Sequence, residues 1–306
     1  MSPLRPLLAL LAALSPALSP ALAAPLPLEA RESALTPAKG SWSVGVFNPL
    51  RLQLSDDWGL EFHPLAELIA PHLEARHALW RPELTEESAH ALELLYALSS
   101  APWALRFAPP LGLRGYLGPS CLVTAAEPSR EGCQESGWGV TPKVGARYSY
   151  ARLGQALTAE ADLAAGILLS GERPAPLDTY APVEVMFAPL TRTWRAHLGA
   201  RAARRVWSRL SVAAELDLYW VGSPKSGYEQ VGGGAGGTRE RSPWTLSAYV
   251  GGDVGLGEHL SLTLGVMYWN SDQLAMVFET DASGFSRKVF VRSHDFWPTV
   301  DLMWRY

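Results

Sequence analysis

The chain has 306 residues, 48% of them hydrophobic and 18% charged, with a formal net charge of -4. That weakly acidic balance excludes a nucleic-acid partner held by electrostatics. Beyond the extreme N-terminus no apolar stretch approaches the ~20 residues that a membrane-crossing helix needs, so any residence in a bilayer must come through strands.

The first 23 residues carry one positive charge, Arg5, then a Leu/Ala-rich stretch and small residues at Ala21 and Ala23. This pattern predicts a signal peptide cut before Ala24, and therefore an exported protein. Pro16 and Pro20 interrupt the apolar stretch, which is too short to stay behind as a spanning helix. Residues 24–40 follow as an N-terminal periplasmic linker.

Period-two alternation then predicts strands over 42–54, with a kink at Asn48-Pro49, over 58–62 and over 73–79. The last two are split by a segment holding Pro64 and Pro71, which cannot donate to a sheet ladder. Residues 81–138 form a long insert. Its start, LTEESAHALELLYALSS, predicts a short helix capped by Thr85, and residues 103–107 with 113–117 offer an added hairpin. Cys121 and Cys133 are expected to form one disulfide in an exported chain. Neither has a His or second Cys at ligand spacing, so no metal site is expected.

From residue 143 onward the alternation is clean. Val144, Ala146, Tyr148 and Tyr150 alternate with Lys143, Gly145, Arg147 and Ser149. Leu157, Ala159, Ala161 and Leu163 alternate with Thr158, Glu160 and Asp162. Trp194, Ala196 and Leu198 oppose Arg195 and His197, and further strands run from Leu210 to Trp220, Trp244 to Leu256, Leu260 to Tyr268 and Val300 to Tyr306. Such lengths of about 11–14 residues suit tilted strands that cross a bilayer better than the five or six usual in globular sheets. Short turns at Leu153-Gly154, near Val206 and at Gly257-Glu258-His259 alternate with long connections over 81–138, 170–187, 222–242 and 270–292. Short turns at one end and long loops at the other are the organisation of an outer-membrane barrel. The expected fold is all-β: an antiparallel up-and-down transmembrane barrel over 41–306, of about ten strands, with eight or twelve as alternatives. In that topology Asp56-Asp57, His294-Asp295 and the helix of the 81–138 insert all lie at the loop end.

Aromatic residues mark the two rims. Trp220, Trp244 and Tyr268 fall at the loop-side ends of apolar faces, and Tyr148, Tyr150, Trp304 and Tyr306 at the turn-side ends. Amphipathic rings in two belts are the girdle pattern of a membrane barrel. The C-terminus, with apolar Val300, Leu302, Trp304 and Tyr306 at alternate positions, resembles that of Gram-negative outer-membrane β-barrel proteins. The resemblance implies a terminal signal read by the barrel-assembly machinery, with outer-membrane lipid around the apolar face. Phe is the commoner last residue in that family, so Tyr306 is a small departure.

The polar face then lines the lumen. A two-residue turn at Leu153-Gly154 sets Arg147 opposite Glu160, and a turn centred near Val206 sets His197 opposite Glu215 and Arg195 opposite Asp217. Opposite charges across strands attract, and an unpaired charge in a crowded lumen is costly. Chemistry is less evident. Ten strands is the size of the omptin proteases, but their acidic pairs are spaced by one residue and Asp56-Asp57 are adjacent. His197 shows no Ser or Asn companion at a spacing that suggests a lipase. GGGAGG lacks the Lys-Ser/Thr that a phosphate loop requires. No enzymatic activity is expected, with an outer-membrane protease or lipase kept as a remote alternative, and no cofactor is expected. Two readings stand: a narrow pore or transporter for a small or amphipathic solute, and a non-conducting barrel whose loops bind a surface or partner. The 81–138 insert serves as plug in the first and as recognition loop in the second.

Overall fold

The computed structural model describes residues 34–35, 39–63, 71–80, 88–101, 138–170, 181–222, 225–227, 238–240, 243–280 and 286–306. Its strands are β1 (Trp42–Gly45), β2 (Leu50–Gln53), β3 (Trp58–Phe62), β4 (His72–Trp80) and β5 (Ser88–Ala101). Then come β6 (Trp138–Arg152), β7 (Gln155–Ala165), β8 (Ile167–Ser170), β9 (Trp194–Trp207) and β10 (Leu210–Val221). After β11 (Lys225–Gly227) and β12 (Thr238–Glu240) the chain finishes with β13 (Trp244–Gly255), β14 (Leu260–Thr280) and β15 (Ser286–Arg305). One helix, α1 (Ala181–Arg192), precedes β9.

Twelve of these strands form a closed antiparallel barrel. Each pairs with the next in the chain, β5 joins β6, and β15 returns to β1. β8 continues β7 beyond Gly166 and pairs with the start of β6. β11 and β12 form a separate two-stranded ribbon. Both ends of the barrel segment meet at the turn side, where Trp42 and Tyr306 exchange backbone hydrogen bonds of 2.8 Å in each direction.

The pattern that builds the barrel is plainest in β7. Thr158, Asp162, Ala156 and Ala164 are buried, whereas Leu157 and Leu163 are more than half exposed. A period of two gives the sheet two unlike faces, and here the greasy face is the outer one. Leu198, Val250, Val266, Val300 and Leu302 are likewise exposed. A closed barrel also removes the unpaired edges that an open sheet leaves.

The expected count of ten is corrected to twelve for two reasons. The segment expected as one kinked strand over 42–54 is the β1–β2 hairpin, reversed at residues 46–49. The segment expected as a helix is β5, which pairs along its length with both β4 and β6. Its inward positions are Ala89, Ala91, Glu93, Leu95 and Ala97, all buried. Ala and Leu are strong helix formers in isolation, but two ladders of backbone hydrogen bonds override that preference. The first correction moves Asp56-Asp57 to the turn side, at the reversal between β2 and β3, away from His294-Asp295.

On the turn side, Tyr148 Oη lies 2.7 Å from His90 Nδ1, and the His90 ring is 4.8 Å from that of Tyr150. Tyr306 stacks on Trp42, and Trp304 is half exposed on the outer face. On the loop side Trp220 stands opposite Trp244, and Tyr268 Oη lies 2.7 Å from His294 Nδ1. Within the stretch expected as a linker, Ala34 and Leu35 are buried against Ala89, Ala91, Ala151 and Ala156, and Ala34 N donates to Ser149 Oγ at 2.8 Å. The expected signal peptide, the Cys121–Cys133 disulfide and most of the long insert lie outside the described residues.

Candidate functional site

The inward faces of the strands carry a belt of ion pairs. Arg147, on β6, donates through Nε to Glu160 at 2.6 Å and through Nη1 to Glu93 at 2.9 Å. Lys143 Nζ lies 2.5 Å from Glu74, and Arg51 Nε 3.0 Å from Glu61. The belt continues through Arg195 with Asp162 at 3.3 Å and Arg201 with Glu215 at 3.2 Å. Glu93 and Arg147 are almost wholly buried, and buried charges persist only where they are paired and hydrogen-bonded.

The turn at Leu153-Gly154 brings Arg147 opposite Glu160. The register of β9 on β10 differs from the expected one. The turn falls at Ser208-Arg209, so Glu215 faces Arg201, Asp217 faces Gly199, His197 faces Tyr219 and Arg195 faces Val221. Arg195 therefore pairs with Asp162 across the other ladder instead of Asp217, and Glu215 pairs with Arg201 instead of His197. The whole arginine-rich end of β9, from Arg201 to Arg205, precedes the turn; small Ala and polar Arg give no sharp turn signal, so the reversal was displaced in the sequence reading.

His197 is the centre of the belt. Its Nδ1 lies 2.8 Å from Asp162 Oδ2 and its Nε2 3.0 Å from Asp217 Oδ1. Each ring nitrogen therefore faces a carboxylate oxygen. Ser247 Oγ donates to the other Asp217 oxygen at 3.1 Å. Gly199 leaves room here, since a Cβ at that position would crowd Asp217 and the His197 ring. Glu160, Asp162 and His197 bring one ligand atom each within 4.8 Å of one another. Glu160 is also paired with Arg147, and Asp162 with Arg195.

α1 was not foreseen in the sequence. It sits against β6, β7, β9, β10 and β14, strands from several sides of the barrel. Val185, Phe187, Ala188 and Leu190 are buried. Val185 packs on Trp269, with Tyr219 and Met267 around it. Tyr219 in turn stacks on His197, with ring centroids 4.6 Å apart. Gly166 and Gly139 admit the helix: a Cβ on the first would strike the Pro189 carbonyl, and on the second the Leu190 side chain. Thr193, at φ 83°, turns the chain out of the helix into β9. Its sequence, APVEVMFAPLTR, begins in the connection expected over 170–187 and runs past it, with Pro189 inside the helix. Below α1 is a cavity of about 320 Å³, lined by Glu74, Lys143, Arg147, Glu160, Asp162, Arg195, His197, Asp217, Tyr219 and Trp269 among others.

No protein-family model matches the sequence, and no curated protein matches it. Several solved structures align with the chain at low identity. OmpT of Vibrio cholerae aligns at a TM-score of 0.42 with 7% identity, over 84% of this chain and 64% of that one, so the chain spans less than two thirds of OmpT. The Pseudomonas putida toluene transporter TodX aligns at 0.35 with 12% identity, over 91% and 92%. LpxR from Salmonella typhimurium aligns at 0.36 with 12% identity, over 88% and 90%. What the chain itself shows is a closed antiparallel barrel of twelve strands. The expectation of a non-enzymatic barrel is withdrawn: it counted no Ser or Asn at a telling spacing from His197, whereas Asp162 and Asp217 meet the two ring nitrogens and Ser247 donates to Asp217.

Proposed function

We propose that this protein is exported by its signal peptide, inserted into a bacterial outer membrane and acts there as a narrow, plugged pore or transporter for a small polar solute. The observation that carries this reading is the charged cavity of about 320 Å³ lined by the inward faces of the strands, with Val185 of α1 packed against its lining residues Tyr219, Met267 and Trp269. The outer face of Leu157, Leu163, Leu198, Val266 and Leu302 suits contact with outer-membrane lipid. The terminal Val300, Leu302, Trp304 and Tyr306 suit reading by the barrel-assembly machinery. Twelve strands with a lumen crossed by ion pairs favour a narrow path, since wide aqueous channels belong to barrels of about 16–18 strands. We assign a plugging role to α1; the greater part of the 81–138 insert lies outside the described residues.

The test is ion conductance in planar bilayers. Wild-type protein is expected to give small or intermittent currents. Replacing residues 181–192 by a short Gly/Ser linker is expected to give larger, steady ones. Gly166→Leu, which collides with the Pro189 carbonyl, acts in the same direction by displacing the helix. Silence from the wild type and from both variants would favour the non-conducting, surface-binding barrel instead.

A further inference from the structure

Arg201 stands between two compartments of opposite charge. It lines the central cavity, where Lys143, Arg147, Arg195 and Arg201 meet six carboxylates. It also lines a second cavity of about 190 Å³ at the turn-side mouth. There cations outnumber carboxylates among the lining residues: Arg201, Arg204, Arg205, Arg209 and Arg305 stand with Asp253 and Glu258, and Arg201 also pairs with Glu215.

The fold gathers these cations from three places. β9 supplies the first three, the β9–β10 reversal supplies Arg209 and the last strand supplies Arg305. Backbone hydrogen bonds fix the meeting point, with Gly255 N donating to Arg209 O and Arg305 N to His259 O, each at 2.8 Å. Asp253 is engaged by hydroxyls: Thr263 Oγ1 donates to one oxygen, and Ser211 Oγ lies 3.5 Å from the other. The space beside Gly257 is open, since a Cβ there would meet nothing within 4 Å. Guanidinium groups present planar forks of donors that match tetrahedral oxyanions, and they desolvate more readily than ammonium groups. A concave site of this size admits a compact anion and no folded chain.

We propose that this turn-side cavity binds a phosphate-bearing anion. The occupant is either a free phosphate-type solute or the headgroup of an anionic phospholipid at the adjoining membrane surface. The site does not depend on conduction: a silent barrel can still hold the anion.

The test uses the mature protein in phosphatidylcholine nanodiscs, titrated with inorganic pyrophosphate by calorimetry. Saturable binding that weakens with added salt is expected. The double variant Arg205→Gln/Arg209→Gln is expected to bind about tenfold more weakly or worse. Arg152→Gln, a turn-side arginine outside the cavity, is expected to match the wild type. Heat-modifiable gel mobility verifies folding of each variant, and Arg209→Gln alone, at an exposed turn position, supplies the comparison if the double variant does not assemble. Repeating the titration in phosphatidylglycerol nanodiscs identifies the source: weakened pyrophosphate binding marks a headgroup site, and unchanged binding marks a solute site. Absence of saturable binding in phosphatidylcholine, or equal affinity in wild type and the arginine variants, overturns the proposal.

Discussion

Asp301 accepts the backbone N–H of Asn48 at 2.9 Å and its side-chain amide as well. The same carboxylate takes the amides of Val46 and Phe47 at 2.8 and 3.1 Å. This matters because β15 pairs with β1 only from Gly45↔Met303 to Ser43↔Arg305, continued by the Trp42–Tyr306 hydrogen bonds. Asp301 therefore extends a very short closing seam by fastening the β1–β2 reversal to the last strand.

Replacing Asp301 with Ala strands several amides at that seam, and a cost of about 2 kcal/mol is expected from the lost charge-assisted bonds. Urea unfolding of the barrel in lipid vesicles measures it. A midpoint equal to wild type means the seam is held by other contacts.

Arg147 is the common partner of Glu93 and Glu160. Arg147→Ala leaves Glu93, 1% exposed, without its ion-pair partner in a buried setting. A loss of about 3–5 kcal/mol is expected. Adding Glu93→Gln should recover part of that loss, because it removes the charge left without that partner. If the double variant is no more stable than the single one, the pair is not the source of the effect.

Leu198 stands in mid-strand on the outer face, opposite Ala161 and Leu218, and is 50% exposed. Leu198→Arg places a guanidinium against hydrocarbon and is expected to destabilise the folded barrel by about 2–4 kcal/mol in vesicles. The same change on a water-exposed surface costs little. A negligible shift in the unfolding midpoint would argue that this face does not meet lipid.

The β6–β7 reversal places Leu153 at φ 46° and Gly154 at φ 78°, a two-residue turn with both positions left-handed. Leucine is a poor occupant, since its Cβ crowds the next carbonyl there. Leu153→Asn is expected to stabilise the barrel by about 1 kcal/mol, read as a higher unfolding midpoint with unchanged conductance.

The sequence made the wall legible wherever the two faces differed in polarity. Leu157 and Leu163 against Thr158, Glu160 and Asp162 declared the direction of β7 outright, and Leu153-Gly154 fixed its register against β6. Legibility failed where side chains were small or conformationally neutral. The Ala/Leu stretch of β5 satisfies helix and strand periods alike, and only its two neighbours in the sheet decide between them. The reversal at Asn48-Pro49 read as a kink because the signal for the turn comes from Asp301, distant in the chain. Those two omissions reversed the direction of β3 and β4 and then cancelled, so every strand from β6 onward kept its orientation. The lumen network was partly visible: charges stood on one face, but the site of the β9–β10 turn lay hidden among Ala and Arg residues. α1 begins in the connection expected over 170–187, and its seat is set by Gly166 and Gly139, whose role appears only when the helix is in place.

Nitroxide labels placed one at a time along β7, from Gln155 to Ala165 in a background lacking Cys121 and Cys133, address most directly whether the barrel wears its apolar side outward. In reconstituted vesicles, collision with oxygen dissolved in the lipid should be high at 157, 159, 161 and 163 and low at 158, 160 and 162. A uniform profile along the strand, or oxygen preferring the positions of Thr158, Glu160 and Asp162, would mean that the charged residues do not line an enclosed lumen.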